Sequence, residues 1–112
     1  MPEDLPAFAS DVLDVVDAIP PGRVLSYGDV AELLGAGGPR LVARVMSTFG
    51  GSVPWWRVLR ADGTPAPVVA RQALAAYLAE GTPMRPGGTR VDMARARWDG
   101  ARWDGARWDG VR

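Results

Sequence analysis

Ser26-Tyr27-Gly28-Asp29-Val30-Ala31-Glu32-Leu33-Leu34-Gly35-Ala36-Gly37-Gly38-Pro39-Arg40-Leu41-Val42-Ala43-Arg44-Val45-Met46-Ser47-Thr48 is the stretch that decides the fold. Ser26 stands three residues before Asp29, the spacing at which each side chain satisfies the other's backbone N–H at a helix start. The helix so capped carries Val30, Leu33 and Leu34 and stops at Gly35. After the Gly35-Ala36-Gly37-Gly38 turn, Pro39 takes a first helical position, and the pattern predicts a second helix to about Thr48. Two short helices joined by a glycine turn form a helix-turn-helix pattern. On the second of them Leu41, Val42, Val45 and Met46 make an apolar stripe. Arg40, Arg44 and Ser47 fall on another side, facing outward. An outward basic face there suits a nucleic-acid backbone, although this helix alone leaves open an ordinary solvated surface.

Working outward, Phe8, Val12, Val15, Val16 and Ile19 recur at helical spacing, which predicts an amphipathic helix over about residues 5–18, ended by Pro20-Pro21-Gly22. Val24 and Leu25 read as a short extended entry to the capped helix. Beyond Gly50-Gly51 the run Val53 to Leu59 reads as extended, and Ala61-Asp62-Gly63-Thr64 as the turn of a small β-hairpin. Pro65 and Pro67 break the next segment. Val69, Ala73, Leu74, Tyr77 and Leu78 then support a fourth helix closed by Gly81. The remainder to residue 95 is rich in Pro and Gly, with a weak strand candidate at Arg90-Val91-Asp92-Met93. The expected fold is mostly α with a small β-hairpin, a winged helix-turn-helix-like domain.

Residues 96–100, 101–105 and 106–110 repeat Ala-Arg-Trp-Asp-Gly. A period of five matches neither helix nor strand, so it cannot hold Trp98, Trp103 and Trp108 on one regular face. The expected division is therefore a domain over residues 1–95 and a flexible tail over 96–112. Arg and Trp also leave open a partner-binding or base-stacking tail.

The chain has 112 residues, 47% of them apolar, enough for one modest core. No run approaches the roughly 20 apolar residues that span a bilayer, and Glu3 and Asp4 stand where a signal peptide carries positive charge. A soluble, cytoplasmic protein is expected. The sequence contains no cysteine and no histidine, which excludes disulfides and thiolate chemistry and removes the usual neutral-pH base and metal ligand. No metal and no cofactor are expected. The net charge is zero, yet residues 1–32 hold seven acids against Arg23 alone, whereas residues 33–61 hold Arg40, Arg44, Arg57 and Arg60 and no acid. All 13 basic residues are arginine, the side chain suited to bidentate phosphate contacts.

Taken together, Ile19-Pro20-Pro21-Gly22-Arg23-Val24-Leu25-Ser26-Tyr27-Gly28-Asp29-Val30-Ala31, Arg40-Leu41-Val42-Ala43-Arg44-Val45-Met46 and Pro54-Trp55-Trp56-Arg57-Val58 resemble, in order and spacing, the DNA-binding domain of O6-alkylguanine-DNA alkyltransferases. They look most like the alkyltransferase-like proteins, in which another residue, often tryptophan, replaces the acceptor cysteine. The resemblance covers about residues 6–85 and extends neither to the triplicated tail nor to a separate N-terminal domain. It implies a protein that binds O6-alkylguanine in duplex DNA by base flipping, performs no catalysis, and flags the lesion for nucleotide excision repair, as a monomer. Ser26, Tyr27, Arg40, Arg44 and Ser47 would contact DNA, with Tyr27 turning the target phosphate and Arg40 filling the space of the extruded base. Tyr27, Trp55, Trp56 and Val68 would form the alkylguanine pocket, with Trp55 at the lost cysteine. Pro54 and Arg57 would be structural.

Two departures stand out. Trp56 occupies the position where many alkyltransferase-like proteins keep a histidine. Val68 aligns with an arginine that some relatives use to sense the guanine O6, and Arg71 lies three residues further on. A plain helix-turn-helix module that reads DNA without flipping remains the alternative. An active alkyltransferase is disfavoured because no thiol exists to accept the group.

Overall fold

A computed structural model describes residues 5–100. The first helix, α1 (Leu5–Ala18), packs Val12, Val15 and Val16 into the core, as its apolar spacing requires. A turn at Pro20–Gly22 leads to strand β1 (Leu25–Ser26) and directly into α2 (Tyr27–Leu34). The capping box forms: Ser26 Oγ accepts from the Asp29 N–H at 3.0 Å, and the Asp29 carboxylate accepts from the Ser26 N–H at 2.9 Å. Gly35 ends α2 in the left-handed conformation at φ 69°. Gly37 is also left-handed, and a Cβ there would come within 2.6 Å of the Phe8 ring, so a larger residue would strain the turn and displace that ring. Helix α3 (Pro39–Phe49) follows, with Val42 and Val45 buried and Arg40, Arg44 and Ser47 exposed.

Residues 53–59, expected as one extended run, instead contain a 3-10 turn at Trp55–Arg57 before strand β2 (Val58–Leu59). The expected small β-hairpin is replaced by a parallel pairing of β2 with β1, in the register Leu25↔Val58 and Ser26↔Leu59. Parallel strands need a crossover, which α2 and α3 supply. The chain does turn at 61–64, where the Asp62 carboxylate accepts from both the Thr64 N–H and the Thr64 hydroxyl. The returning segment cannot complete a ladder because Pro65 and Pro67 lack N–H groups. A 3-10 turn (Pro67–Val69) enters α4 (Ala70–Glu80), which Gly81 ends as expected. Ala73 and Tyr77 form its buried stripe, but Leu78, placed on that stripe by spacing, is 84% exposed. The weak strand candidate reduces to one antiparallel bridge, Met84↔Val91.

A short helix, α5 (Met93–Ala96), carries the chain past the expected domain boundary at residue 95. Residues 96–100 belong to the fold and not to the tail. The Trp98 N–H donates to the Val24 carbonyl at 2.8 Å, and the Val24 N–H donates to the Ala96 carbonyl at 3.0 Å. The Arg97 guanidinium pairs with Asp29 at 2.9 Å, and Trp98 is buried with residues of α1, α2 and α3. Burial of one large indole outweighs the lack of any regular period in the repeat. The second and third repeats lie outside the described residues. No described helix is long and apolar enough to cross a membrane.

Trp98→Ala should lower stability by about 3 kcal/mol or more in urea unfolding. Leu78→Ala should stay within about 0.5 kcal/mol of the parent.

Candidate functional site

Gly50 and Gly51 turn the chain out of α3, and Val53-Pro54 then directs the Trp55–Arg57 turn back across it. The space left between α3, this turn and the start of α4 is a cavity of about 590 Å³. Its volume suits a small-molecule or single-base ligand. Tyr27 stands on the wall where α2 begins, Trp55 and Trp56 come from the turn, and Val68 stands at the rim. The four residues expected to form a pocket therefore line one cavity. Ala43, Met46 and Ser47 complete the wall from the second half of α3.

Trp55 and Trp56 meet edge to face, with ring centroids 5.5 Å apart. Trp56 has a polar anchor. Its indole N–H donates to Glu80 Oε2 at 2.8 Å. The same carboxylate accepts from Arg57 through Nη2 at 2.7 Å and Nε at 3.2 Å, and from the backbone N–H of Gly22 at 3.1 Å. Arg57 also donates to the Ile19 carbonyl at 2.8 Å, and its guanidinium lies 5.4 Å from the Trp56 ring centroid. Burial opposes the charge on Glu80, but the bonds from Arg57, Gly22 and Trp56 and the Arg57 charge outweigh it and hold the carboxyl below its ordinary value.

Burial raises the Tyr27 phenol above its usual value, and the positive charge of Arg60 offsets part of that rise. Arg60 is exposed, so a solvated guanidinium stands near the cavity. Ser47 serves both the cavity wall and the outward face of α3 that carries Arg40 and Arg44. Cavity and basic helix face are thus contiguous. Ser26, expected at a DNA surface, is only 4% exposed and its oxygen is engaged in the helix cap, so its position is structural. Val68 is 95% exposed at the cavity mouth, and Arg71 is exposed on α4 outside the cavity lining. Among the described residues, no guanidinium lines the cavity wall.

A second cavity of about 580 Å³ lies between α1 and the end of α3, lined by Leu13, Phe49, Asp14 and Asp17 among others. Its two carboxylates repel phosphate, which makes it the poorer nucleic-acid site. Residue spacing missed two members of the first site. Glu80 lies at the end of α4, and nothing local links it to Trp56. Tyr77 lines the cavity, although its spacing from Ala73 announces only a buried position.

Residues 7–80 match the family described as 6-O-methylguanine DNA methyltransferase, DNA binding domain. The DNA base-flipping protein of Escherichia coli strain K12 is 40% identical over 101 residues, covering 83% of this chain and 75% of the relative. The DNA base-flipping protein of Shigella flexneri matches with the same identity and coverage, 40% over 101 residues. A crystal structure of Schizosaccharomyces pombe Atl1 in complex with damaged DNA containing O6-carboxymethylguanine superposes with a TM-score of 0.72. It shares 24% identity over 83% of this chain and 95% of that one, a likeness of fold. A second, of S. pombe ATL in complex with DNA, gives a TM-score of 0.70 at 26% identity with the same coverage, 83% and 95%.

Glu80→Gln should cost about 1–2 kcal/mol at neutral pH, because it leaves a partly buried guanidinium without its counter-charge. A carboxyl with a depressed folded-state pKa stabilises above its unfolded value of about 4.3 and loses that contribution as pH falls through the folded value. The gap between parent and variant in chemical unfolding should therefore close on acidification below about pH 4.

Proposed function

The chain belongs to the family of the 6-O-methylguanine DNA methyltransferase DNA-binding domain, and we propose that it binds duplex DNA, turns an O6-alkylguanine out of the stack and holds it in the cavity beside Trp55. The observation that carries this reading is the junction of an aromatic cavity with the exposed Arg40, Arg44 and Ser47 face of α3, in a chain without cysteine. A thiolate would be needed to accept the alkyl group. Binding without reaction is the consequence, and the bound complex flags the lesion for nucleotide excision repair.

Flipping costs a few kcal/mol, recovered from contacts made only once the base is out. Arg44 meets phosphate, and Arg40 at the start of α3 fills the gap left by the base. Tyr27 takes the phosphate of the turned nucleotide, with Arg60 a further cation close by. Trp55 and Trp56 offer rings against which the purine packs. With Val68 at the mouth and no guanidinium among the described wall residues, alkylated guanine is preferred because its alkyl group leaves water for apolar surface. Each added methylene should then strengthen binding by about 0.8 kcal/mol until the cavity is full.

Affinity should be measured for matched duplexes carrying O6-methylguanine, O6-ethylguanine or guanine, with O6-ethylguanine bound most tightly and guanine least. Equal affinities would falsify lesion recognition. A fluorescent base analogue at the target should brighten on binding as it unstacks. Binding with no change in its emission would leave a helix-turn-helix module that reads DNA without flipping.

A further inference from the structure

The basic surface of this chain does not end at α3. Arg60 leaves β2 directly after Leu59, the register partner of Ser26, and so emerges beside Tyr27 at the start of α2. The turn that Arg60 opens is closed by the Gly63 N–H, which donates to the Arg60 carbonyl at 2.9 Å. The Val91 N–H donates in turn to the Gly63 carbonyl at 2.9 Å, and a Cβ on Gly63 would collide with the Val91 carbonyl. Residues 84–91 are therefore locked, backbone against backbone, onto the turn that follows β2.

That segment folds back on itself through the antiparallel bridge Met84↔Val91, beside which the Arg85 N–H donates to the Arg90 carbonyl at 2.8 Å. Met84 and Val91 pack into the core, so alternation turns Arg85 and Arg90 to the opposite face, across from each other and exposed. Like charges facing each other across a strand pair cost stability. Neither guanidinium has an ion pair among the described residues. Asp62 lies near Arg90 and Arg60, but its carboxylate is already engaged: bonds from the Thr64 hydroxyl and N–H hold its pKa below the ordinary value, and the charges of Arg90 and Arg60 add to this. Asp92 is likewise committed, accepting from the Arg95 N–H at the start of α5. An anion from outside the protein would relieve the repulsion that the chain itself leaves in place.

We propose that Arg85 and Arg90 form a second DNA-backbone contact, joined through Arg60 to Tyr27, that grips phosphates flanking the nucleotide held at the cavity. This rests on the function proposed above and extends its footprint beyond α3. A phosphodiester offers the negative charge and the acceptor oxygens that a pair of guanidiniums requires. Such a contact positions the protein on the duplex and carries no information about the base.

Affinity of the full chain for O6-methylguanine and guanine duplexes, measured across a salt series, separates this contact from the cavity. Replacing both arginines, Arg85→Gln with Arg90→Gln, should weaken both duplexes by the same factor, about tenfold or more at roughly 0.1 M salt, and lower the salt slope by about 2. The preference for the lesion should not move. Because the double variant removes a repulsion, it should resist urea at least as well as the parent. Asp62→Asn keeps an oxygen for Thr64 and should tighten both duplexes, whereas Asp14→Asn, the same charge change on α1, should tighten neither. An unchanged salt slope in the double variant would overturn the proposal. So would a loss of its stability, or equal effects of the two Asp variants, which would reduce the result to net charge. If the parent binds neither duplex, the proposed function fails; if it binds and prefers the lesion while the slope stays fixed, only this contact fails.

Discussion

The carboxylate of Glu80 is the constraint on which the site depends. It sits at the end of α4 and gathers the Arg57 guanidinium, the Trp56 indole and the backbone N–H of Gly22. Two separated segments converge on the two oxygens of a third. A charge with only 13% of its side chain exposed persists there because an opposite charge and directed donors replace its water. The consequence is positional: Trp56 is fixed by its nitrogen and by the cation near its ring, and Trp55 is fixed in turn by its edge-to-face contact. The cavity wall is therefore held from behind, away from the surface that would meet a ligand.

Charge organises the molecule at a coarser level. The carboxylates of α1 line a groove against Phe49, whereas the arginines of α3 stand exposed beside the aromatic cavity. A neutral chain thus presents a locally basic face, and its zero net charge is no guide to its partner. Arg57, counted among the basic segment by composition, contributes nothing to that face because it is paired internally. Arg60 remains exposed and takes its place near Tyr27.

The absence of cysteine and the open aromatic cavity are consistent with each other. Indoles at positions 55 and 56 do not collapse into the space between α3 and α4, because Trp56 is tethered to Glu80 and the glycines at 50 and 51 bend the chain away. A Cβ on Gly50 would press to 3.0 Å from the Met46 side chain, which is itself part of the cavity wall. Small residues there preserve the opening that two large ones border.

What the amino-acid order determined by itself was local. The Ser26–Asp29 cap, the Gly35 and Gly81 stops, Pro39 at a helix start and the apolar spacing of α1 and α3 all act within a few residues, so they can be read along the chain. The resemblance of three short motifs to one family was legible for the same reason. Tertiary structure alone decided the parallel pairing of β1 with β2, the burial of Trp98 from a repeat whose period suits no regular element, the burial of the Ser26 cap and the meeting of Glu80 with Trp56. Apart from that cap, whose burial depends on its surroundings, these join segments distant in sequence. Their energies come from burial and from bonds between remote groups, for which no neighbouring residue carries a sign.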